Sequence, residues 1–256
     1  MNENKISVVV ITKNEEDMID GCLASVKWAD EIIVIDTGSI DNTNKIALTH
    51  KAKIVKCHTP KMDFSAWRNA GLNAAKGNWL FYLDADERAT EGLEKEMKSI
   101  VENTDYVAYE IPRRNFFLGQ EMHYSGVNPD YIKRFFKRNS LKGWHRTLHE
   151  DPVINGRMGR LQNSVLHYTH RDITSMMKKT IKWTGIEANL LYNNNHPLVV
   201  WWRFLRMMLT KFFERVVKQQ AWRDGPIGWI NSIFEVFDTF IIYARLWEIQ
   251  KFTKTS

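Results

Sequence analysis

Cysteine is nearly absent from this sequence. The 256 residues include two, Cys22 and Cys57, which lie far apart and outside any Cys/His metal-binding pattern. This argues against a disulfide scaffold and against a structural zinc site. Long apolar runs are missing too: residues 6–11 are too short a run for a signal peptide, and no clean stretch of about eighteen or more apolar residues follows. A reducing cytoplasm is the expected location.

Three common signatures of nucleotide and ester chemistry are also absent. The sequence has no Gly-x-x-x-x-Gly-Lys-Ser/Thr phosphate loop, no Gly-x-Gly-x-x-Gly dinucleotide motif and no Gly-x-Ser-x-Gly nucleophile elbow. Acidic residues are outnumbered by 36 Lys and Arg to 30 Asp and Glu, and the net charge is +6. Residues 113–146 carry eight basic and two acidic side chains. Such a surplus suits anionic phosphates, an anionic membrane surface or nucleic acid.

Apolar runs rich in β-branched residues alternate with helical patterns early in the chain. Strands are predicted at residues 6–11, 31–35, 53–57 and 79–83, and helices at 18–26, from about 41–43, and at 65–76. This alternation predicts parallel βαβ units and an α/β domain with a Rossmann-like sheet. A mixed block follows, with strands at 106–111, 131–136 and 161–168, and then a helical region. We therefore predict three regions, residues 1–105, 106–171 and 172–256.

Polar side chains follow three of the predicted strands, at the point where each strand ends. They are Thr12, Asn14 and Glu15 after the first strand, Asp36 and Ser39 after the second, and Asp84 and Asp86 after the fourth. Ligands of parallel sheets bind beyond the carboxyl ends of the strands, so we expect these groups to converge. The last two, at i and i+2, suit one hard divalent cation with open positions for phosphate oxygens. This predicts chemistry on a nucleotide-linked substrate.

Two C-terminal helical segments carry many large apolar side chains. Each has one polar stripe: Arg203, Arg206, Thr210, Glu214 and Lys218 in residues 198–218, and Asn231, Glu235, Asp238 and Arg245 in residues 228–247. Both segments are too charged to span a bilayer and too apolar to face water. An amphipathic pair lying in a membrane interface explains this pattern. Helices packed on the α/β domain or across a dimer interface are the alternative.

Four stretches taken together resemble glycosyltransferase family 2. They are residues 7–16 (SVVVITKNEE), 33–43 (IVIDTGSIDNT), 67–71 (WRNAG) and 83–87 (LDADE). The resemblance implies a GT-A fold, a nucleotide-sugar donor and inversion at the transferred sugar. Two later stretches, residues 148–151 (LHED) and 224–228 (DGPIG), resemble one branch of that family. This branch contains the lipopolysaccharide core β-glucosyltransferases of the WaaE type, which act on a heptose.

The resemblance places the nucleoside at the ends of the first two strands. Asp36 would accept a hydrogen bond from the uracil imide or a ribose hydroxyl, with Ser39 beside it. Thr12, Asn14 and Glu15 would cup the base from the other side. Taken alone, Asp36 would equally suit an Asx turn or a helix cap. Its expected position near the two aspartates after the fourth strand favours a role in nucleoside binding.

The diphosphate and its cation would lie at the end of the fourth strand. By resemblance, Asp86 would bind the Mn²⁺ or Mg²⁺ directly, while Asp84 faces the ribose or a metal-bound water. Arg68 would contact the diphosphate or the donor sugar; a surface arginine that pairs with a Glu or Asp is the alternative, against which the surrounding Arg-Asn-x-Gly pattern speaks. His167 is a candidate late metal ligand, as some GT-A enzymes use, against the alternative of a structural histidine. The cation would offset charge that develops on the UDP leaving group.

Inversion requires one base that takes the proton of the acceptor hydroxyl as it attacks C1 from the face opposite UDP. By resemblance this base is Glu150, with Asp151 as the fallback and His149 orienting the glutamate or touching the acceptor. Trp144 and His145 are candidates for stacking on a sugar face. Ordinary core aromatics are the alternative for these two.

These assignments predict a metal-dependent inverting glycosyltransferase that moves a hexose, glucose from UDP-glucose, onto a lipid-linked saccharide such as a lipopolysaccharide core heptose. It would work peripherally at the cytoplasmic face of the membrane, through its C-terminal helices, which also suit a homodimer. Capsule, teichoic acid or peptide acceptors are alternatives within the same fold. No sequence motif separates them.

Two rival classes explain less of the sequence. A sugar nucleotidyltransferase would need a Gly-rich loop with a basic residue after the first strand, whereas residues 12–16 are acidic and lack glycine. A nucleic-acid-binding module would account for the basic charge. It leaves the carboxylates at three strand ends unexplained, so no nucleic-acid partner is expected.

Overall fold

The chain divides into two compact units. The computed structural model describes residues 4–60, 62–146 and 150–252. The sheet unit consists of Met1–Arg114 and Asp130–His167, and the helical unit consists of Asn115–Pro129 and Tyr168–Ser256. The short segment Asn115–Pro129, which the sequence analysis places in the middle region, thus belongs with the C-terminal helices.

The first half of the sheet unit is the parallel arrangement that the sequence predicts. Its elements are β1 (Ile6–Thr12), α1 (Ile19–Ser25), β2 (Glu31–Asp36), α2 (Thr43–Thr49), β3 (Lys53–Lys56), α3 (Phe64–Ala74) and β4 (Trp79–Asp84). The strands are parallel and lie in the order β3-β2-β1-β4. Each strand begins at its predicted residue and ends within one residue of its predicted end. The carboxyl ends of β1, β2 and β4 therefore share one edge of the sheet.

The central strand β1 separates two apolar cores. All of its residues are buried. Val8 and Val10 belong to one cluster with residues of α1, whereas Val9 belongs to a second cluster with Trp67 of α3. This division follows from the two-residue period of a strand, which sends successive side chains to opposite faces. Apolar layers therefore cover both faces of β1.

The second half of the sheet unit adds mainly antiparallel strands. The elements are β5 (Glu87–Ala89), α4 (Glu91–Glu102), β6 (Ala108–Phe117), β7 (Gln120–Glu121), β8 (Tyr131–Lys137), β9 (Leu141–His145), β10 (Asp151–Ile154), β11 (Met158–Arg160) and β12 (Val165–Tyr168). The strand order is β3-β2-β1-β4-β8-β6-β12-β5, and β9 and β10 form a separate pair. Strand β8 runs antiparallel to β4. The edge of β4 that does not pair with β1 therefore pairs with β8, which contains Lys133, Arg134 and Lys137.

The helical unit contains α5 (Ile173–Asn193), α6 (Trp201–Phe212) and α7 (Gly225–Phe252). Asp224, just before α7, is 5% exposed and holds the Asn115–Pro129 segment. Its carboxylate accepts from His123 N–H at 2.9 Å, Tyr124 N–H at 3.0 Å and Ser125 Oγ at 3.3 Å. Gly225 follows with a φ of 67°, which favours glycine. The DGPIG stretch thus has a structural role at the start of α7.

The helical unit has an unusual distribution of polarity. Buried residues of α7 include the polar Asn231, Ser232, Thr239 and Gln250. Large apolar side chains of the same helix are exposed, among them Trp229, Ile233, Phe240, Trp247 and Phe252. Part of the polar stripe predicted for this helix thus faces inward, Asn231 among it. The outer surface is left apolar.

One helical segment of the described chain is long and apolar enough to cross a membrane, judged by length and composition alone. It is Ala221–Phe252, of which 28% of the most apolar window is buried. The sequence analysis regards this region as too charged to span a bilayer. Its charges include Glu235 and Asp238, which have partners inside the helical unit.

Candidate active site

The turns after β1 and β2 are joined by hydrogen bonds. Asn14 N–H donates to Ser39 Oγ at 3.0 Å, and Asn14 Oδ1 accepts from Ile40 N–H at 2.8 Å. Glu15 N–H donates to Thr43 Oγ1 at 2.8 Å. Asn14 has a φ of 55°, a left-handed conformation in which asparagine is enriched. The structure thus brings together the polar residues that follow the first two strands.

Asp36 shapes the loop at the end of β2. It is 2% exposed, its Oδ1 accepts from the N–H groups of Ser39 at 2.8 Å and Gly38 at 3.2 Å, and its Oδ2 accepts from Asn44 Nδ2 at 2.9 Å. Burial raises the pKa of Asp36, but these hydrogen bonds together lower it below its ordinary value. Oδ1 therefore holds an Asx turn, and Oδ2 ties this loop to Asn44 of α2. Nearby Thr12 Oγ1 is buried and has no hydrogen-bond partner among the described residues.

Asp84 lies between two buried arginines. Arg134 Nη2 donates to Asp84 Oδ2 at 2.8 Å, and Arg68 Nη2 lies 3.4 Å from Oδ1. Both arginines also contact Glu150: Arg68 Nε donates to Oε1 at 2.7 Å, and Arg134 Nη1 is 3.8 Å from the same oxygen. Arg68 and Arg134 are 2% and 7% exposed. Two guanidinium groups thus connect the predicted donor-side aspartate to the predicted catalytic base.

The arginines determine the charge of Asp84. Burial raises the pKa of this carboxyl, but Arg134 and Arg68 lower it by more, to about 2. Asp84 is therefore anionic at neutral pH. Burial, and then the charge of Arg68, lower the pKa of Arg134. The two like charges are compatible because carboxylates lie between them.

Glu87 extends the cluster behind Asp84. It is fully buried, its Oε2 accepts from Asp84 N–H at 2.9 Å, and its Oε1 lies 3.4 Å from Arg113 Nη1. Arg113 Nε in turn donates to Asp130 Oδ2 at 2.7 Å. Burial and the charge of Asp84 raise the pKa of Glu87. Glu87 holds the backbone where β4 leaves the sheet.

The sequence analysis did not single out three charged residues of this cluster, namely Glu87, Arg113 and Arg134. A signal for Arg134 is the period of β8. Phe135 pairs with Phe81 in the sheet, so the neighbouring Arg134 points to the opposite face, which is the face of Asp84. Using that signal requires the pairing of β4 with β8, which no local pattern shows.

Asp86 and His167, both predicted as metal ligands, face each other. His167 Nε2 lies 3.5 Å from Asp86 Oδ2, because β12 pairs with β5 and sets His167 opposite Glu87. Two ligands at about 2.1 Å from one cation, at angles of about 90–110°, are about 3.0–3.4 Å apart. The pair therefore fits a shared divalent cation after a small shift. No group of three or more His, Cys, Asp or Glu side chains is placed to hold a metal within the described ranges.

Helix α3 delivers Arg68 to the strand ends through a close approach at Gly71. A Cβ at this position would overlap Val9 Cγ1 of β1, so the glycine lets the helix lie close to the sheet. Three residues earlier, the Arg68 guanidinium lies 5.0 Å from the Trp144 ring centroid and 5.7 Å from that of Tyr82. The WRNAG stretch thus combines a packing residue with a charged one.

Trp144 lies in the core instead of forming an exposed sugar platform. It is 4% exposed and packs edge-on against Tyr82 at 5.2 Å and Phe136 at 5.5 Å. Asn69 fixes its backbone: Nδ2 donates to Trp144 O at 3.1 Å, and Oδ1 accepts from Trp144 N–H at 2.9 Å. This is the core-aromatic alternative of the sequence analysis. The ring supports the Arg68 guanidinium from beneath.

The other acceptor-side candidates lie apart from the arginines. Asp151 pairs with Lys133 Nζ at 2.8 Å, and its side chain is 58% exposed. His145 is exposed at the end of β9, opposite Asp151. His149 lies outside the described residues. Of the two carboxylates considered for the base, only Glu150 contacts the cluster among the contacts within the described part of the chain.

Comparison with known proteins places this geometry in a family. The model of glycosyl transferase family 2 matches residues 7–180. The chain belongs to glycosyl transferase family 2. It is 26% identical to an uncharacterized glycosyltransferase of Rickettsia bellii (strain RML369-C), over 96% of this chain and 87% of that protein. It is 23% identical to the lipopolysaccharide core biosynthesis glycosyltransferase LpsC of Rhizobium meliloti (strain 1021), over 95% of this chain and 92% of that protein.

A solved structure supports the same fold. The crystal structure of S. aureus TarS 1-349 in complex with UDP-GlcNAc matches 96% of this chain and 91% of that chain, with a TM-score of 0.50 and 15% identity. This family 2 glycosyltransferase therefore has the GT-A fold, a parallel-rich α/β sheet followed by C-terminal helices. The fold class predicted from the sequence is confirmed.

Replacing Arg134 with methionine should destabilise this glycosyltransferase strongly. The change leaves Asp84 and Glu150 with one guanidinium, and breaking a buried ion pair costs about 3–5 kcal/mol; we expect the lower end because Asp84 is 31% exposed. Lys133→Met is the matched control on the same strand. Its partner Asp151 is exposed, so a loss of at most about 1 kcal/mol is expected. Urea unfolding measures both, and equal losses would contradict a cooperative cluster.

Proposed function

We propose that this family 2 glycosyltransferase is an inverting, metal-dependent hexosyltransferase that uses UDP-glucose. The observation that carries the proposal is the joining of Asp84 and Glu150 by Arg68 and Arg134 at the carboxyl edge of the sheet. A donor site and a general base meet in this one cluster. TarS, which shares the fold, binds UDP-GlcNAc, and this supports a UDP-sugar donor here.

The buried arginines offer donors to an anionic diphosphate. Arg68 Nη1 and Arg134 Nε are buried and have no hydrogen-bond partner among the residues the structure describes. Unpartnered guanidinium N–H groups are uncommon in protein interiors, because their desolvation is then uncompensated. A diphosphate that draws these side chains toward it would form charge-assisted hydrogen bonds with them. This supports the donor role predicted for Arg68 and adds Arg134 to it.

Asp86 and His167 are the proposed holders of a Mn²⁺ or Mg²⁺ ion. Their separation of 3.5 Å fits two ligands of one cation, and the remaining positions are left for water and phosphate oxygens. Such a cation, when bound, stabilises negative charge on the leaving diphosphate. Asp84 would face the ribose or a water of that cation.

Glu150 is the proposed base. It would take the proton of the acceptor hydroxyl while the acceptor oxygen bonds to C1 and the bond from C1 to UDP breaks on the opposite face. Its Oε1 receives both arginine contacts. Those contacts fix the carboxylate in place and keep it close to the donor-side aspartate. Inversion follows because one displacement occurs.

The proposed acceptor is a lipid-linked saccharide such as a lipopolysaccharide core heptose. The likeness to LpsC along nearly the whole chain supports it. A different cell-surface polysaccharide or a peptide is the alternative acceptor. The enzyme would work on the cytoplasmic face of the membrane, where the C-terminal helices meet the lipid surface, and a homodimer through the same helices is compatible with this.

Helix α6 provides the best membrane-facing surface. Trp201, Leu205 and Leu209 recur at every fourth residue and are 76%, 57% and 57% exposed. The guanidinium groups of Arg203 and Arg206 lie 5.6 and 5.4 Å from a Trp202 ring centroid. Exposed apolar residues with tryptophan and arginine at their border suit the headgroup region of an anionic bilayer.

The donor site is tested by calorimetric titration of UDP with and without Mn²⁺. Wild-type protein should bind UDP in a Mn²⁺-dependent way, and Asp86→Ala should weaken that binding by about 100-fold or more because a direct ligand is removed. Asp20→Ala is the matched control, since Asp20 is an exposed partner of His50. UDP binding of equal strength in EDTA would refute metal dependence.

The base is tested by Glu150→Gln in a transfer assay with UDP-glucose and lipopolysaccharide core acceptor. We expect kcat to fall by about 10²–10⁴-fold, because the amide cannot accept the proton, while Mn²⁺-dependent UDP binding persists. Asp151→Asn should leave kcat within a few-fold of wild type. The reverse ranking of the two variants would transfer the role to Asp151.

Membrane contact is tested by co-sedimentation with vesicles of anionic phospholipid. Leu205→Glu with Leu209→Glu should lower binding by at least about 100-fold, because each buried leucine contributes about 1.5–3 kcal/mol. Leu48→Glu is the matched control, since Leu48 is 61% exposed on α2. Undiminished binding of the double variant would exclude α6 as the contact surface.

A further inference from the structure

Part of the polar stripe of α7 lines a cavity. The cavity has a volume of about 290 Å³ and lies between α5 and α7. Asn231, Glu235 and Asp238 line it from α7, and Lys179 and Trp183 line it from α5. Pockets for small molecules begin at roughly 300 Å³, so this one suits a ligand of a single ring. None of these residues belongs to the arginine–carboxylate cluster of the sheet unit.

Asn231 is the residue that points to a ligand. It is 3% exposed and lines the cavity, and its side-chain amide makes no hydrogen bond within the described parts of the chain, although its atoms are not among the fully buried ones that lack a partner. Other buried polar side chains of α7 are satisfied: Ser232, Thr239 and Gln250 all donate to backbone carbonyls. The Asn231 amide is therefore open to the cavity, where a bound molecule can reach it. A ligand in the cavity would supply an acceptor and a donor to it.

The charges around the cavity favour an uncharged ligand. Glu235 is paired with Arg215 at 2.9 Å, and burial raises the pKa of Asp238. Asp238 also accepts from Thr180 Oγ1 at 2.6 Å, and Lys179 Nζ donates to Thr169 Oγ1 at 2.8 Å, so each of these three charged groups already has a partner that a neutral ligand would leave in place. A ligand rich in hydroxyl groups carries no charge, and each hydroxyl can both donate and accept a hydrogen bond. It can donate to Asp238 and accept from Asn231.

Aromatic side chains complete the lining. Trp183 is 37% exposed at the cavity, and Phe234 lines it from α7. Pockets that combine aromatic walls with a few fixed polar groups orient small ligands specifically. A pyranose ring has apolar C–H faces for the aromatic walls and hydroxyls at its edge for the polar groups.

We propose that this cavity of the helical unit is a binding site for an uncharged pyranose residue. The choice of a saccharide as the hydroxyl-rich ligand rests on the proposed function, since a glycosyltransferase handles glycan acceptors. Asn231 and Asp238 bind the ring hydroxyls, and Trp183 and Phe234 pack against its faces. The site selects a neutral sugar unit of the acceptor.

The test follows the Asn231 side-chain amide directly. Protein labelled with ¹⁵N-asparagine is titrated with methyl β-D-glucopyranoside, methyl α-D-mannopyranoside and a methyl heptopyranoside, and the signal missing from Asn231→Leu identifies the residue. We expect that signal to shift in a saturable way with at least one glycoside. Inorganic phosphate is the charged probe and should leave it unmoved. A signal that phosphate moves and no glycoside moves overturns the proposal.

Variants separate the site from general surface effects. Asn231→Leu should weaken glycoside binding at least tenfold, seen by saturation-transfer difference NMR, while its Tm stays near that of wild type because no hydrogen bond within the described chain is lost. Asn189→Leu is the matched control on α5, where the Asn189 amide donates to Gly185 O at the surface. Unchanged glycoside binding in Asn231→Leu overturns the proposal. Asp238→Asn is a second variant for the same measurement, and we expect it to bind the glycoside more weakly than wild type.

The same samples distinguish this proposal from the donor proposal. Mn²⁺-dependent UDP binding with no glycoside binding overturns the pocket and leaves the donor site intact. Glycoside binding that Asn231→Leu abolishes, without UDP binding, supports the pocket and removes the UDP assignment. Binding of both, each lost only in its own variant, supports both.

Discussion

The burial of Arg68 and Arg134 between Asp84 and Glu150 is the constraint on which the site depends. Burying two guanidinium groups costs free energy because they lose their hydration and because their like charges repel each other. The carboxylates beside them compensate both costs. The four side chains therefore act as one unit rather than two ion pairs. Arg68 contacts both carboxylates, so an anion that draws Arg68 away from Asp84 also changes the hold on Glu150.

Three features of the fold bring this unit together. Strand β8 runs antiparallel beside β4 and turns Arg134 to the face of Asp84. Gly71 lets α3 lie close to β1, which sets Arg68 at the carboxyl edge. Buried Trp144 supports the Arg68 guanidinium. Each of these contacts joins residues that are far apart in the sequence. Whether such a residue serves packing or charge is decided by the residue that it contacts.

Local patterns predicted the parallel strands and the convergence of their polar ends. Buried β-strands and the turns that follow them have characteristic compositions, which can be recognised without knowing which segments they pair with. Arg134 and Trp144 could not be assigned in this way. Arg134 lies in a basic segment where any arginine could face solvent, and its face is decided by the pairing of β8 with β4. Trp144 was open between a sugar platform and the core, and the packing of Tyr82 and Phe136 around it decides for the core.

The helical unit has an apolar cluster around Leu246, yet it also exposes large apolar side chains and buries polar ones, and the proposed membrane contact accounts for both features. Exposed Trp201, Leu205 and Trp229 lose free energy in water, whereas buried Thr180 and Asn231 lose it in an apolar core unless they are hydrogen-bonded. The proposed lipid surface would remove the cost of exposing the apolar side chains, and polar partners inside the unit remove the cost of burying the polar ones. Thr180 has such a partner in Asp238, and Asn231 has none within the described chain. Exposed apolar side chains beside a polar cavity are thus consistent with the proposed acceptor, which combines a lipid anchor with a hydrophilic sugar.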